Sequence, residues 1–377
     1  MKYLRSRYYS ALKLLEDYNY PTPFTIFSKQ FFRQHKKYGS KDRKAITDIC
    51  YNYFRHGLGL KSMSKKHGLL WSLLAFNIKD LQVWTDLAKE LEFSSDFGQF
   101  YDLESSRSID EAYQRISTSF YKEGFLMPEF EHYNGAQNKG YRPKIWAKDH
   151  LDNLPGKLGI IGAKAIKSNL SIPESIQIQD LSSQFLCSKI TVQTEDKVWD
   201  VCSGAGGKSM NLLYRQKGTF YLSDIRSSIL NNAQSRIHKM GYEAYFGESD
   251  LSKNQPLVFK NKGRVQRSFF DVILLDVPCS GSGTWFRSPE HFTNFDYTLL
   301  KEYVSRQKAI VKNAFPFLKK GGMLYYLTCS IFEMENAQVT HWIIDNFDVE
   351  PIEDICFDGI KHHADGMYFA SFKKRNS

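Results

Sequence analysis

The sequence has no CxxC pair, no apolar run of about eighteen residues, no internal repeat and no low-complexity tract. Its six cysteines (Cys50, Cys187, Cys202, Cys279, Cys329, Cys356) lack the paired spacing of a zinc site and the density of a disulfide framework. With no ligand cluster in view, no metal is expected. Without a long apolar run, no membrane association is expected either. The start, MKYLRSRYYSALKLLEDYNY, lacks the apolar core of a secretory signal, so cytoplasmic residence is the default expectation. Acidic residues are scarce at the front: residues 1–70 carry 15 lysines and arginines against 4 acidic residues. The whole chain carries +10, so the remainder is close to neutral. A basic patch of this kind draws in polyanions, although solvated helix faces share the same composition.

What is present divides by pattern. Residues 1–125 read as a helical, basic domain. The stretch KDRKAITDICYNYFRHGLGL sets Ile46, Ile49, Cys50, Tyr53 and Phe54 on one helical face and ends near Gly57 and Gly59. Residues 126–190 form a mixed connector punctuated by Pro128, Pro143, Pro155 and Pro173. From 191 to 377, short apolar runs (KVWDV, GTFYLSD, EAYFGE, FDVILLD, GMLYYLTC) alternate with helical stretches. That alternation predicts an α/β domain with a mostly parallel sheet covered on both faces. Ligands of such sheets sit outside the carboxyl ends of the strands, where every residue singled out below falls.

The first run ends in DVCSGAGGKS, from Asp200 to Ser209. Its glycines permit a tight turn and close backbone approach to a ligand, but the spacing matches neither GxxxxGK[ST] nor GxGxxG. The second run ends in Asp224, placed to accept ribose hydroxyls or to cap a helix. The third leads to Asp250, within reach of an adenine amino group. Glycine loop and two carboxylates on successive strands describe an adenosine-type ligand without a required phosphate, which favours S-adenosylmethionine over NAD or ATP.

The fourth and fifth runs both stop at a cysteine: Asp276 leads to Pro278 and Cys279, and Thr328 leads to Cys329. Two strand-end thiols suit methylation of cytosine carbon-5. A thiolate adding to carbon-6 breaks the ring's aromaticity and makes carbon-5 nucleophilic. A carboxyl group such as Asp276 can manage the proton at ring nitrogen-3. A second cysteine can assist the final elimination. The other four cysteines read as small buried hydrophobes, Cys202 included.

DVCSGAGGKS, DVILLDVPCSGSGTWFRSPE and LKKGGMLYYLTCSIFEMEN, with QDLSSQ at 179–184 and DGMYFA at 365–370, together resemble the Nop/Sun (RsmB-like) family of RNA cytosine-5 methyltransferases. The resemblance implies a Rossmann-like methyltransferase domain at 191–377, preceded by a small linker domain. It implies Cys329 as the attacking thiol, Cys279 as the releasing one and Asp276 between cofactor and base. The cofactor, S-adenosyl-L-methionine, is expected against Cys202, Ser203, Gly204, Ala205, Gly206, Gly207 and Lys208, with Asp224, Asp250 and Asp276. Two departures stand out. Ala205 replaces the family's usual proline, which leaves the loop less rigid, and Ile229 stands where an arginine is common. The region with Asp42, Arg43, Tyr51 and Arg55 resembles the family's NusB-like RNA-binding domain. The expected partner is therefore RNA, in a single-stranded or flipped-out segment of small-subunit (16S) ribosomal RNA. Transfer RNA, cytosine in DNA with Cys279 attacking, and a non-catalytic assembly factor are the alternatives. Lys208 and Arg287 read equally as ligand contacts or solvated charge, and Trp285 and Phe286 as packing rather than base stacking.

Overall fold

The computed structural model describes residues 2–55, 64–76, 81–91, 144–147, 164–165, 176–285, 288–296, 298–357 and 364–376. The chain divides into two compact units, one of Met1–Asn138 with Trp285–Asp296, the other of Lys139–Thr284 with Tyr297–Ser377.

The first unit is helical where described: α1 (Lys2–Asp17), α2 (Phe24–Gln34), α3 (Ser40–Arg55), α4 (Lys65–Phe76) and α5 (Leu81–Glu90). The face expected of α3 is the one buried, since Ile46, Ile49, Cys50, Tyr53 and Phe54 all join the unit's core with Phe24, Leu69 and Trp84. Tyr18, Phe24 and Phe54 meet edge to face at centroid separations of 4.9–5.5 Å, a geometry that adds roughly 1 kcal/mol per pair beyond burial. Arg7 donates two hydrogen bonds, at 3.0 and 2.8 Å, to Asp42 across α1 and α3. The segment 285–296 completes this unit. The buried Glu290 accepts from the Phe24 backbone N–H at 3.1 Å, Thr293 Oγ1 donates to the Phe54 carbonyl at 2.6 Å, and Trp285 packs on Phe295. Packing is therefore the role of Trp285, as its sequence suggested, whereas Phe286 and Arg287 lie outside the described residues.

The second unit is the α/β domain. A small antiparallel sheet, β2 (Lys164–Ala165), β1 (Lys144–Ala147) and β3 (Ile176–Gln179), precedes it. The main sheet contains β4 (Lys197–Asp200), β5 (Thr219–Asp224), β6 (Tyr245–Glu248), β9 (Phe270–Asp276), β10 (Leu318–Thr328), β11 (Val349–Phe357) and β12 (Met367–Lys374). The two-residue strands β7 (Val258–Phe259) and β8 (Gly263–Arg264) pair separately. The main sheet's order is β11-β12-β10-β9-β4-β5-β6, with β10, β9, β4, β5 and β6 parallel and β12 antiparallel to both its neighbours. The helices are α6 (Leu181–Ser188), α7 (Gly207–Arg215), α8 (Ser227–Lys239), α9 (Leu299–Ala314) and α10 (Ala337–Asn346). Each of the five runs read from the sequence is one of the parallel strands; β4, β5, β9 and the second half of β10 are buried, whereas β6, at the sheet's edge, is only partly so.

Strand order reverses between β4 and β9, so a crevice opens outside their carboxyl ends. An aromatic cluster fixes the β4–β9 register beneath it: Trp199 stacks on Phe270 at 5.0 Å and donates Nε1–H to Ser223 Oγ at 2.9 Å.

Candidate active site

The glycine loop closes β4 onto α7. Gly206 takes φ +76, a left-handed value that a side chain resists, and a Cβ there would press on Ala233 at 3.3 Å. The Arg236 guanidinium donates to the Ala205 carbonyl at 2.8 Å and to Gln177 Oε1 at 2.7 Å, bracing the loop from α8 where proline would have stiffened it. Ser203 is buried, with its backbone N–H on the Ser223 carbonyl at 2.9 Å. Asp200 is wholly enclosed behind the loop. Burial pushes its carboxyl up to about 7, against the opposing pull of the 2.6 Å hydrogen bond from Ser209.

Asp224 is buried at the end of β5 and accepts the Gly204 N–H at 3.0 Å, together with the Arg226 N–H and Nε at 3.0 Å each. Burial raises its pKa, but the Arg226 and Gly204 bonds prevail and hold it below the ordinary carboxylate range. An arginine does serve this aspartate, then, two residues on rather than five, which the comparison at Ile229 missed. Asp250 is held by Ser252 Oγ at 2.5 Å and by Lys253 at 3.2 Å, which keep its pKa low.

These groups bound one cavity of about 530 Å³, lined by Val201, Cys202, Asp224, Ile225, Arg226, Ser249, Asp250, Leu251, Ser252, Asp276, Pro278, Arg306 and Ile310. Its volume is that of a small-molecule site. Of the three carboxylates on its walls, Asp224 and Asp250 match a nucleoside bearing a diol and an amino group, and Asp276 is the third. Cys202 lines the wall as a protonated thiol, its pKa driven far up by burial.

Asp276 and Lys208 form an ion pair at 2.6 Å, the lysine side chain 13% exposed. Lys208 is thus a buried partner rather than solvated charge. Burial disfavours its ammonium, and Asp276 more than restores it. Beyond the pair, Cys279 Sγ and Cys329 Sγ lie 3.3 Å apart. The hydrogen bond to Cys329, then burial, then the neighbouring negative charges lift the Cys279 thiol well above its ordinary pKa.

The remaining sequence matches support this pair. Asp180 caps α6 through the Ser182 N–H at 2.8 Å and takes the Asp365 N–H at 3.2 Å, while Ser182 Oγ donates to the Asp365 carbonyl at 2.5 Å. Gly366 N–H then bonds the Gly283 carbonyl at 2.8 Å, and Gly283 N–H bonds the Cys329 carbonyl at 2.9 Å. QDLSSQ and DGMYFA are therefore two ends of one brace behind the thiols. Among the other cysteines, Cys50 and Cys187 are buried as expected, with Cys187 pushed up to about 12 by its burial. Cys356, by contrast, is exposed on β11.

Residues 188–373 match the family described as 16S rRNA methyltransferase RsmB/F. These residues thus bear out the likeness to the Nop/Sun (RsmB-like) family read from the motifs. Among curated relatives, the probable ribosomal RNA small subunit methyltransferase B of Synechocystis is 30% identical over 217 residues, covering 52% of this chain and 47% of its own. The ribosomal RNA small subunit methyltransferase F of Pectobacterium carotovorum is 28% identical, covering 48% of this chain and 38% of its own. The chain thus spans about half the length of the Nop/Sun relatives it matches, or less. The crystal structure of PH0851 superposes with a TM-score of 0.66 at 17% identity over 97% of each chain, a likeness of fold. Sequence reasoning missed Arg226, Arg236 and Glu335 at this site. Arg226 and Glu335 at least lie near Asp224 and Cys329 in the chain, whereas Arg236 lies 31 residues from Ala205 and gave no local signal.

Proposed function

We propose that this protein is an S-adenosylmethionine-dependent RNA cytosine-5 methyltransferase acting on small-subunit ribosomal RNA. The observation that carries the reading is the pair of thiols 3.3 Å apart on the loops that follow β9 and β10, with Asp276 both paired to Lys208 and lining a nucleoside-sized cavity. S-adenosylmethionine, when bound, supplies an electrophilic methyl group. Asp224 holds its ribose, Asp250 its adenine, and the loop from Cys202 to Gly207 its backbone-facing edge. Cys329 adds to cytosine carbon-6, Asp276 manages the proton at nitrogen-3, and Cys279 assists release. Lys208 keeps Asp276 fixed in place. The names of the curated relatives favour ribosomal over transfer RNA.

A basic recess between α2 and α3 supports RNA as the partner. Lys29, Arg33, Arg43 and Lys44 line a cavity of about 420 Å³ floored by Phe32 and Tyr51. Lys29→Glu with Arg33→Glu is expected to weaken RNA binding at least about tenfold and to lower the slope of log affinity against log salt by roughly 2. Fluorescence anisotropy across a salt series checks this, and an unchanged slope would remove the recess from the RNA path.

Asp224→Asn keeps shape but exchanges a charged acceptor for a neutral one. We expect S-adenosylmethionine to bind about 10- to 100-fold more weakly, read by calorimetry without RNA. The whole reading is tested by incubating ribosomal and transfer RNA from cells lacking the protein with labelled S-adenosylmethionine. Label recovered as 5-methylcytosine in small-subunit RNA supports it. Label confined to transfer RNA, or none on any RNA or assembly intermediate, overturns it.

A further inference from the structure

Glu335 sits in the short turn after β10, fully buried, yet neither the cofactor cavity nor the cytosine chemistry requires it. Its carboxylate collects four donors. Oε1 accepts the Ser280 backbone N–H at 2.9 Å and Gln307 Nε2 at 3.0 Å, and Oε2 accepts Ser280 Oγ at 2.5 Å and Ser330 Oγ at 2.6 Å. Ser280 follows Cys279 in the chain and Ser330 follows Cys329. One side chain therefore joins the two thiol-bearing loops to each other and, through Gln307, to α9. The Gln307 amide also donates to the Pro278 carbonyl at 3.1 Å, and Tyr326 O–H donates to the Glu335 carbonyl at 2.7 Å. Burial raises the carboxyl's pKa above its ordinary value, against the pull of all four donors, and it is the ionised, acceptor-only form that those donors serve.

The charges around the two sulfurs differ. Cys279 faces Cys329, Glu335, the neutral phenols of Tyr326 and Tyr303, and the Gly281 N–H, with Arg306 beyond Tyr303. Cys329 is the thiol within reach of the Lys208 ammonium. A negative group on one side and a positive group on the other polarise the pair.

We propose that Glu335 is a positioning residue that ties the two cysteine loops into one frame and, with two of its four donors on Ser280, sets its negative charge on the Cys279 side of the pair, so that Cys329 is the more reactive thiol. The inference deepens the proposed function, but it concerns the thiols alone, so its test needs neither RNA nor S-adenosylmethionine.

The full chain is alkylated with iodoacetamide across a pH series, and the rate at each cysteine is read from its own peptide by mass spectrometry. In the wild type, Cys329 reacts ahead of Cys279. Glu335→Gln preserves volume but removes the charge and turns one acceptor oxygen into a donor, which the serine hydroxyls can meet by rotating to accept. It should move the Cys279 profile to lower pH and shrink the rate ratio about tenfold, the effect of one nearby unit charge. Glu335→Asp, which restores the charge, should restore the order of reactivity. A purely structural role would raise both rates together. An unchanged ratio in folded Glu335→Gln overturns the proposal.

A second measurement stands even if that variant fails to fold. Thiolate absorbance is titrated in Cys329→Ala and in Cys279→Ala, each lacking the partner sulfur. Cys279 must still ionise at higher pH than Cys329, and the reverse order overturns the proposal. No methylation of any RNA by the wild type, with the thiol profiles as expected, would count against the methyltransferase reading alone.

Discussion

Cys329→Ala is expected to lower methyl transfer by on the order of 10⁴-fold or more, while S-adenosylmethionine binding stays within about twofold of the wild type. In barrier terms that is about 5.5 kcal/mol, the cost of returning carbon-5 to an aromatic ring with no covalent activation. The cofactor cavity is lined by Cys202 and Pro278 but not by Cys329, so the substitution leaves its walls intact. Cys279→Ala should behave differently. Addition to carbon-6 and methyl transfer proceed, but the final elimination stalls, and a protein–RNA adduct that survives denaturing gels accumulates. Two sulfurs only 3.3 Å apart could in principle exchange these roles. Their surroundings separate them, with the Lys208 ammonium toward Cys329 and the Glu335 carboxylate toward Cys279. An adduct trapped by Cys329→Ala instead would assign attack to Cys279 and reverse the proposed order.

The second large effect is steric. A Cβ on Gly283 would lie 1.9 Å from the Gly366 carbonyl oxygen, 2.7 Å from its carbon and 3.1 Å from the Cys329 carbonyl oxygen. All three atoms are backbone, so no rotamer change relieves the clash. Gly283→Ala must push the strands of the brace apart and sever the bonds from Gly283 to Cys329 and from Gly366 to Gly283. Overpacking of roughly 1–3 kcal/mol, with about 1 kcal/mol for each lost hydrogen bond, gives a destabilisation on the order of 3–5 kcal/mol. Urea denaturation measures it. Gly207→Ala is the control, because its Cβ would rest 3.9 Å from Gln179 Nε2, an ordinary contact, and should cost less than about 0.5 kcal/mol. Equal losses at the two positions would show that the Gly283–Gly366 approach is not what holds the thiol loops.

The parallel part of the sheet was legible because its inner strands are buried on both faces. Such strands are continuous apolar runs, and each stops at the polar residue that matters. The antiparallel pair was not. β11 reads VEPIEDICF, an edge strand with Pro351 and a register shift after it, whose alternating exposure dilutes the apolar signal. β12 was visible only as a matched motif, since its place between β10 and β11 depends on pairing that no local pattern encodes. The site divided in the same way. Strand-end residues such as Asp224, Asp276, Cys279 and Cys329 announce themselves by position. Arg226, Arg236 and Glu335 act across loops, through contacts made only when the chain is folded.

The twelve residues from Trp285 to Asp296 bear on how this protein can have been assembled. They lie between two segments of the α/β unit yet belong to the helical one, where Glu290 and Thr293 bond to Phe24 and Phe54. Neither unit is therefore a self-contained cassette. A fragment covering the α/β unit alone would carry Trp285, Phe295 and the Glu290 carboxylate without the helices that enclose them. Exchange of one N-terminal domain for another during evolution would have to rewrite this short stretch, far beyond that domain in the chain, at the same time.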